Sequence, residues 1–153
     1  MRHIFDQRSI DLIQKGLEDG RVDLVDSETY LDFLGMLPNN GYRLRWENIK
    51  NQSVHPPEGI GGSKALSEIA YQDEVRRFVE IIGNQYSLKE QACVLVEDHY
   101  SDCALAMKFH MMNSLVEDFI YSPGHKYIFS TDQTWLLNIT MEGDVYFSPN
   151  CLK

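Results

Sequence analysis

The sequence lacks several features that would place it in a familiar class of protein. None of its apolar runs reaches the roughly 18 residues needed to cross a bilayer, and the start at Met1–Asp6 has no apolar stretch of the kind found in signal peptides. Only three cysteines occur, Cys93, Cys103 and Cys151, and no two form a C-x-x-C pair. Secreted disulfide frameworks use a denser and even set of cysteines. We therefore expect a cytoplasmic protein with reduced thiols.

Basic residues are also scarce. The 14 lysines and arginines face 23 aspartates and glutamates, which gives a formal charge of −9. Proteins that bind nucleic acid need an excess of basic side chains to displace counterions from phosphate, so this class is not expected. An acidic surface instead suits a protein partner that is basic.

Strong catalytic motifs are missing as well. There is no G-x-S-x-G elbow of the kind that presents a nucleophilic serine. The glycine-rich stretch Gly59–Lys64 follows a polar, proline-rich segment instead of the buried strand that a phosphate-binding loop requires. We predict a protein without a cofactor and without enzymatic activity.

What the sequence does contain is enough apolar material for a core. Hydrophobic residues make up 43% of the 153 residues and aromatics 11%, which predicts one globular domain over residues 1–153. Apolar residues at helical spacing, together with capping and breaking residues, predict four helices. These span 9–18, a segment that starts at Asp26 or Ser27 and ends before Pro38, 64–82 with Gly83 as its end, and 102–120.

Alternating or continuous apolar runs predict the strands. Residues 42–49 alternate, 91–97 form a valine-rich buried run, and three short alternating segments between 126 and 148 predict an antiparallel meander. Residues 50–63 have two prolines, three glycines and no periodicity, which predicts a mobile loop. The resulting fold class is α+β, a mostly antiparallel sheet with a C-terminal three-strand meander packed against helices. Trp135 is expected to be buried against the helix over 102–120.

The acidic residues are unevenly distributed. Segments 18–32 and 90–118 each hold six acids and one base. One interpretation is a solvated helix face, and the other is a docking surface that attracts a basic partner. Nearby aromatics that could anchor a partner, if exposed, are Tyr30, Trp46, Tyr100 and Tyr121. The residues predicted to bind the partner are Asp23, Asp26, Glu28, Asp32, Trp46, Glu97, Asp98 and Asp102.

A second hypothesis is a small metal- or ligand-binding enzyme built around His99, Cys103 and His110. Glu97, Asp98 and Asp102 could add oxygen ligands, and the loop over 50–63 could act as a lid. The spacing does not match the H-x-x-x-H or C-x-x-C patterns of common metal sites. The first hypothesis is therefore preferred, and no metal ligand is assigned.

The run from Phe129 to Phe147 (FSTDQTWLLNITMEGDVYF) resembles the closing segment of some small bacterial immunity proteins. These are the cytoplasmic antitoxins of contact-dependent growth inhibition and related polymorphic toxin systems. The resemblance implies a small, acidic, non-enzymatic protein that binds one toxin domain tightly. It carries over no catalytic residue, and it suggests as the partner the basic C-terminal domain of a cognate toxin, such as a nuclease.

Overall fold

The computed structural model describes residues 7–39, 44–55, 68–97, 104–119, 125–140 and 143–152. Within these ranges there are four α-helices, α1 Gln7–Asp19, α2 Ser27–Gly35, α3 Glu68–Gln85 and α4 Phe109–Phe119, and one 3-10 helix, Trp46–Asn48. The strands are β1 Val22–Val25, β2 Ser53–His55, β3 Ala92–Glu97, β4 Ala104–Lys108, β5 Lys126–Ser130, β6 Leu136–Ile139 and β7 Val145–Ser148.

All seven strands belong to one sheet. Their order is β1-β4-β3-β5-β6-β7-β2, and each of these neighbouring pairs is antiparallel. The five interior strands come from residues 92–148, whereas the two edge strands come from the N-terminal part of the chain. The predicted α+β class, the antiparallel sheet and the C-terminal meander of β5, β6 and β7 are confirmed.

Helices cover both faces of this sheet. Alternate residues of each interior strand point to opposite sides, and apolar side chains lie on both sides. Cys93 and Leu95 of β3 belong to one apolar cluster, and Val94 and Val96 belong to another. The first cluster includes residues of α1, α3 and α4, and we call that side the three-helix face. The second includes Phe33 and Leu34 of α2 and Leu37 just beyond it, together with Leu44, Trp46 and Ile49, and we call that side the α2 face.

Trp135 lies on the three-helix face, as predicted. It is 2% exposed, and its ring packs edge to face on that of Phe109, the first residue of α4. The distance between the two ring centroids is 5.7 Å. Leu137 and Ile139 belong to the same cluster. The alternation of side chains along the meander therefore predicted correctly which residues of β6 face the helices of the three-helix face.

The predicted strand over 42–49 is wrong for the residues that the structure describes, which begin at residue 44. Leu44 makes one isolated bridge to Asn39, and the chain then forms the 3-10 helix. The Arg45 N–H donates to the Pro38 carbonyl at 2.8 Å and closes a turn there. The alternation of large and charged residues arises because this short segment covers the α2 face with every second side chain.

The predicted loop over 50–63 also needs correction. Residues 53–55 form β2, which pairs with β7 in the register Ser53↔Phe147 to His55↔Val145. Residues 56–63, including most of the glycine-rich stretch, lie outside the described residues. Such a short strand has no periodicity of its own, and its partner lies about ninety residues further along the chain, so local patterns could not reveal it.

The helix predicted over 102–120 is in fact a strand followed by a helix. Residues 104–108 form β4, between β1 and β3, and α4 begins only at Phe109. Leu105, Phe109 and Met112 are spaced as on one helix face, which is why the pattern was misleading. The sheet supplies two partners for β4, and that long-range pairing overrides the local spacing.

Gly83 does not end α3, as the sequence suggested, because the helix continues to Gln85. A Cβ at this position would lie 2.7 Å from Cε1 of Phe109. Such a distance is far inside van der Waals contact. The glycine therefore allows the start of α4 to pack closely against α3.

Candidate functional site

The predicted docking acids of the N-terminal segment lie on β1 and α2. We call Asp23, Asp26, Glu28 and Asp32 the N-terminal carboxylate cluster, and all four residues are exposed. Asp23 lies on β1, which pairs with β4 on one side and forms an edge of the sheet. Glu28 and Asp32 are four residues apart on α2, so they share one side of that helix. The structure therefore brings four predicted site residues to one edge of the sheet and the helix that follows it.

Only one member of the cluster has a clear local role. Asp26 caps α2, because its carboxylate accepts a hydrogen bond from the Glu28 backbone N–H at 3.0 Å. Among the described residues, neither Asp23, Glu28 nor Asp32 forms an ion pair. These carboxylates therefore leave a net negative charge at the surface.

Carboxylates elsewhere on the molecule are arranged differently. On α3, Asp73 pairs with Arg76, and Glu74 pairs with Arg77 at 3.3 Å. Beyond the helix, Glu90 accepts a hydrogen bond from Lys108 Nζ at 3.0 Å, and this bond lowers the pKa of Glu90. Local bases pair with the acids of α3 and with Glu90, whereas three acids of the N-terminal carboxylate cluster have no ion-pair partner among the described residues.

The edge strand β1 carries one acid, Asp23, and one exposed large apolar side chain. Leu24 is 52% exposed, next to Asp23 on β1. An edge strand offers unpaired backbone N–H and C=O groups to another chain. Carboxylates beside such an edge disfavour pairing with a second acidic copy and favour a basic partner.

The second predicted cluster is mostly outside the described residues, since Asp98 and Asp102 fall in the gap between β3 and β4. Glu97 is the last residue of β3, an interior strand, and its Cα lies opposite that of Lys126 on β5. Lys126 is 1% exposed. This cluster remains a prediction, and Glu97 lies at a sheet position instead of on a surface helix.

Trp46 is not the exposed anchor that the sequence suggested. It is 4% exposed, and its Nε1 donates to Oδ1 of the buried Asn138 at 2.8 Å. Its ring stacks on that of Tyr146 with a centroid distance of 5.0 Å and an interplanar angle of 10°. Asn138 lies 92 positions later in the chain, so no local pattern indicated this burial.

The other aromatic candidates give no exposed anchor among the described residues either. Tyr30 is partly buried on the α2 face, with its ring centroid 5.5 Å from that of Phe129. Tyr100 and Tyr121 lie outside the described residues. Among the described residues, Leu24 on β1 and Met36 at the C-terminal end of α2 are the exposed large apolar side chains within the segments that carry the cluster.

The alternative enzymatic centre is described only in part. His110 is exposed at the start of α4, with its Nε2 3.9 Å from a carboxylate oxygen of Glu90, whereas His99 and Cys103 lie outside the described residues. Burial raises the pKa of Cys93 to about 12 and that of Cys151 to about 11. Both are therefore neutral thiols at physiological pH and poor nucleophiles. In the described ranges no three His, Cys, Asp or Glu side chains could hold a metal ion together.

Two cavities open at the ends of strands, and sequence patterns predicted neither. The larger, of about 390 Å³, lies where β1 begins and β4 ends, and Arg21, Asp23, Met107, Lys108 and Met111 are among the residues that line it. The smaller, of about 150 Å³, lies beside the stacked rings of the α2 face. The residues that line it are Leu44, Trp46, Glu47, Asn138, Thr140, Asp144 and Tyr146. Both cavities join segments that are far apart in the chain.

Comparison with known proteins adds no further assignment. The chain matches no protein-family model, no curated protein and no solved structure. Among the described residues, no helix is long and apolar enough to cross a membrane. The functional conclusion therefore depends on the charge, exposure and contacts of the residues themselves.

Proposed function

We propose that this protein is an immunity protein, an antitoxin that binds a basic toxin domain and blocks its active site. The observation that carries the proposal is the N-terminal carboxylate cluster, four exposed acids on β1 and α2. Three of them have no ion-pair partner among the described residues, while acids on α3 are paired. The resemblance of residues 129–147 to the closing segment of immunity proteins supports the same function.

The mechanism follows from the arrangement of charge. Unpaired carboxylates at the surface attract a basic surface over distances of about one Debye length, roughly 8–10 Å at physiological salt. Such steering raises association rates by about 10- to 1,000-fold. After the encounter, the open edge of β1 offers backbone N–H and C=O groups to the partner, and Leu24 adds an exposed apolar side chain on the opposite side of that strand from Asp23. Occupation of the toxin's cleft by this surface would exclude its substrate.

The test begins with capture of the partner. The purified protein, immobilised, is exposed to a lysate that contains the product of the reading frame next to its own, and any bound protein is identified. Association rates are then measured against ionic strength for the parent, for Glu28→Lys/Asp32→Lys, and for Asp73→Lys/Glu74→Lys. The last variant is the matched control, because it changes net charge equally but at acids that are paired on α3.

We expect the α2 variant to associate about tenfold more slowly at low salt and to lose most of its salt dependence, because it removes the steering charge. The α3 variant should change the rate much less. Equal slowing in both variants would show that only net charge matters. A partner bound without salt dependence would contradict docking through the carboxylate cluster.

A further inference from the structure

The smaller cavity, on the α2 face, has a lining that suits one chemical group. Among the described residues, the acids Glu47 and Asp144 line it, together with the stacked rings of Trp46 and Tyr146, which form an aromatic wall. Most of the lining is polar. A carboxylate pair beside aromatic rings attracts a cation through both charge and ring electrons.

The floor of the cavity is a buried amide. Asn138 is 2% exposed, its Oδ1 accepts from Trp46 Nε1, and its Nδ2 donates to the Lys126 carbonyl at 2.9 Å. An amide oxygen has two lone pairs, so Oδ1 has capacity for a second donor. Within the described residues, the Asn138 side chain makes no further hydrogen bond. The floor can therefore accept a donor N–H that enters the cavity.

The two carboxylates differ in their existing partners. Glu47 pairs with Arg45 at 3.2 Å, and both side chains are well exposed, so the pair is weak and exchangeable. The Asp144 carboxylate makes no ion pair with a described residue. Its backbone is fixed, since Asp144 N–H donates to Thr140 Oγ1 at 2.9 Å and its carbonyl accepts from Thr140 N–H at 2.8 Å. This turn holds an available negative charge at the rim.

The volume of the cavity limits what can occupy it. About 150 Å³ is well below the 300–1,000 Å³ or so of pockets that enclose whole small molecules. The cavity therefore fits a side-chain head group and not a nucleotide or a comparable cofactor.

We propose that this cavity binds the guanidinium group of an arginine side chain presented by a protein partner. Guanidinium is planar and carries several N–H donors that match carboxylate and amide oxygens, and it stacks on aromatic rings. One guanidinium group can stack on the aromatic wall, pair with the Asp144 carboxylate and donate to the Asn138 oxygen. The inference rests on the proposed function only in taking the arginine from a basic protein partner.

The test uses the intact protein and a blocked amino acid, N-acetyl-arginine amide, as the probe. The indole N–H resonances of the two tryptophans are followed by NMR during titration. Trp46 borders the cavity, whereas Trp135 lies on the opposite face of the sheet with its Nε1 bonded to Gln91 Oε1 at 3.0 Å. Trp135 is therefore an internal control for non-specific effects. N-acetyl-citrulline amide, the neutral isostere, is the matched control probe.

We expect a saturable shift of the Trp46 signal alone at millimolar concentrations of the arginine probe. The citrulline probe should bind at least about tenfold more weakly. Asp144→Asn should weaken binding of the arginine probe by about tenfold, which corresponds to about 1.4 kcal/mol. Asp132→Asn changes an exposed turn carboxylate at the other end of β6 and should leave binding unchanged. Preserved indole signals in each variant confirm that it is folded.

Three results would overturn the inference: no Trp46 shift, equal shifts with both probes, or equal weakening by Asp144→Asn and Asp132→Asn. The outcome is separable from that of the proposed function. Partner association can retain its salt dependence while the cavity fails to bind the arginine probe. The cavity can likewise bind the probe even if no basic toxin is captured.

Discussion

The two tryptophans of this protein are both buried and both hydrogen-bonded to a side-chain amide, yet they lie in different surroundings on opposite faces of the sheet. Trp135 packs among Phe109, Phe147 and three helices, where its role is to fill space. Trp46 belongs to a short segment that covers the α2 face, and it stacks on Tyr146 beside a polar cavity. Equal burial therefore does not mean equal function, because the composition of the surrounding shell decides what a buried aromatic can do.

The largest effect that this comparison predicts is on the three-helix face. Trp135→Ala should lower the free energy of unfolding by about 3–5 kcal/mol, the usual cost of removing a large buried aromatic. That is a large part of the 5–15 kcal/mol or so available to a domain. Urea unfolding followed by far-UV circular dichroism measures the loss. Leu24→Ala, at an exposed side chain, should change stability by less than about 0.5 kcal/mol. A Trp135→Ala variant that melts within a few degrees of the parent would contradict the packing described here.

A second, smaller effect separates the two amides. Asn138→Ala removes the acceptor of Trp46 Nε1 and the donor to the Lys126 carbonyl, and both bonds are buried. We expect a total loss of about 1–3 kcal/mol, because buried groups are left without a partner. Gln91→Ala removes the acceptor of Trp135 Nε1, but this bond is only partly buried. Water can replace it, so the loss should be about 0.5–1.5 kcal/mol. Equal losses in urea unfolding would show that the two environments are alike.

The smallest effect concerns the turn between β5 and β6, strands that contribute to both faces. Hydrogen bonds from the Ser130 and Thr134 side chains hold the pKa of Asp132 below its ordinary value of 3.8. A lowered folded-state pKa stabilises the fold above pH 3.8, and this contribution is lost as the pH falls below 3.8 through the folded-state pKa. Asp132→Ala should therefore be slightly destabilised at neutral pH, and the difference from the parent should shrink below pH 3.8. Unfolding midpoints of both proteins against pH measure this, and a difference that grows in acid would contradict the assignment.

Where side chains alternate over a long enough run, the sequence predicts this fold well. The meander is such a case, because Trp135, Leu137 and Ile139 share one face and each strand pairs with a close neighbour in sequence. The helix start at Asp26 was also predictable, since its cap is a contact between residues two positions apart. Local chemistry decides both features.

The missed features depend on distant partners. The four-residue strand β1 is stabilised by pairing with β4, and β4 in turn is stabilised by pairing with β1 and β3. The cavity of the α2 face likewise joins Trp46 to Asn138 across 92 positions. Exposure of the N-terminal acids was predictable from composition. That three of them form no ion pair with a described residue is visible only once the positions of the described arginines and lysines are known.

The position of β1 at the sheet edge also has a consequence for how the chain is made. The strand begins at residue 22, and the one strand that pairs with it among the described residues begins at residue 104. At ribosomal rates of about 5–20 residues per second, roughly 4–16 s pass before that neighbour exists. During this interval the apolar VDLV segment is without its strand partner, and the acids around it act as gatekeepers against self-association. The same carboxylates thus protect the nascent chain before they can meet any partner.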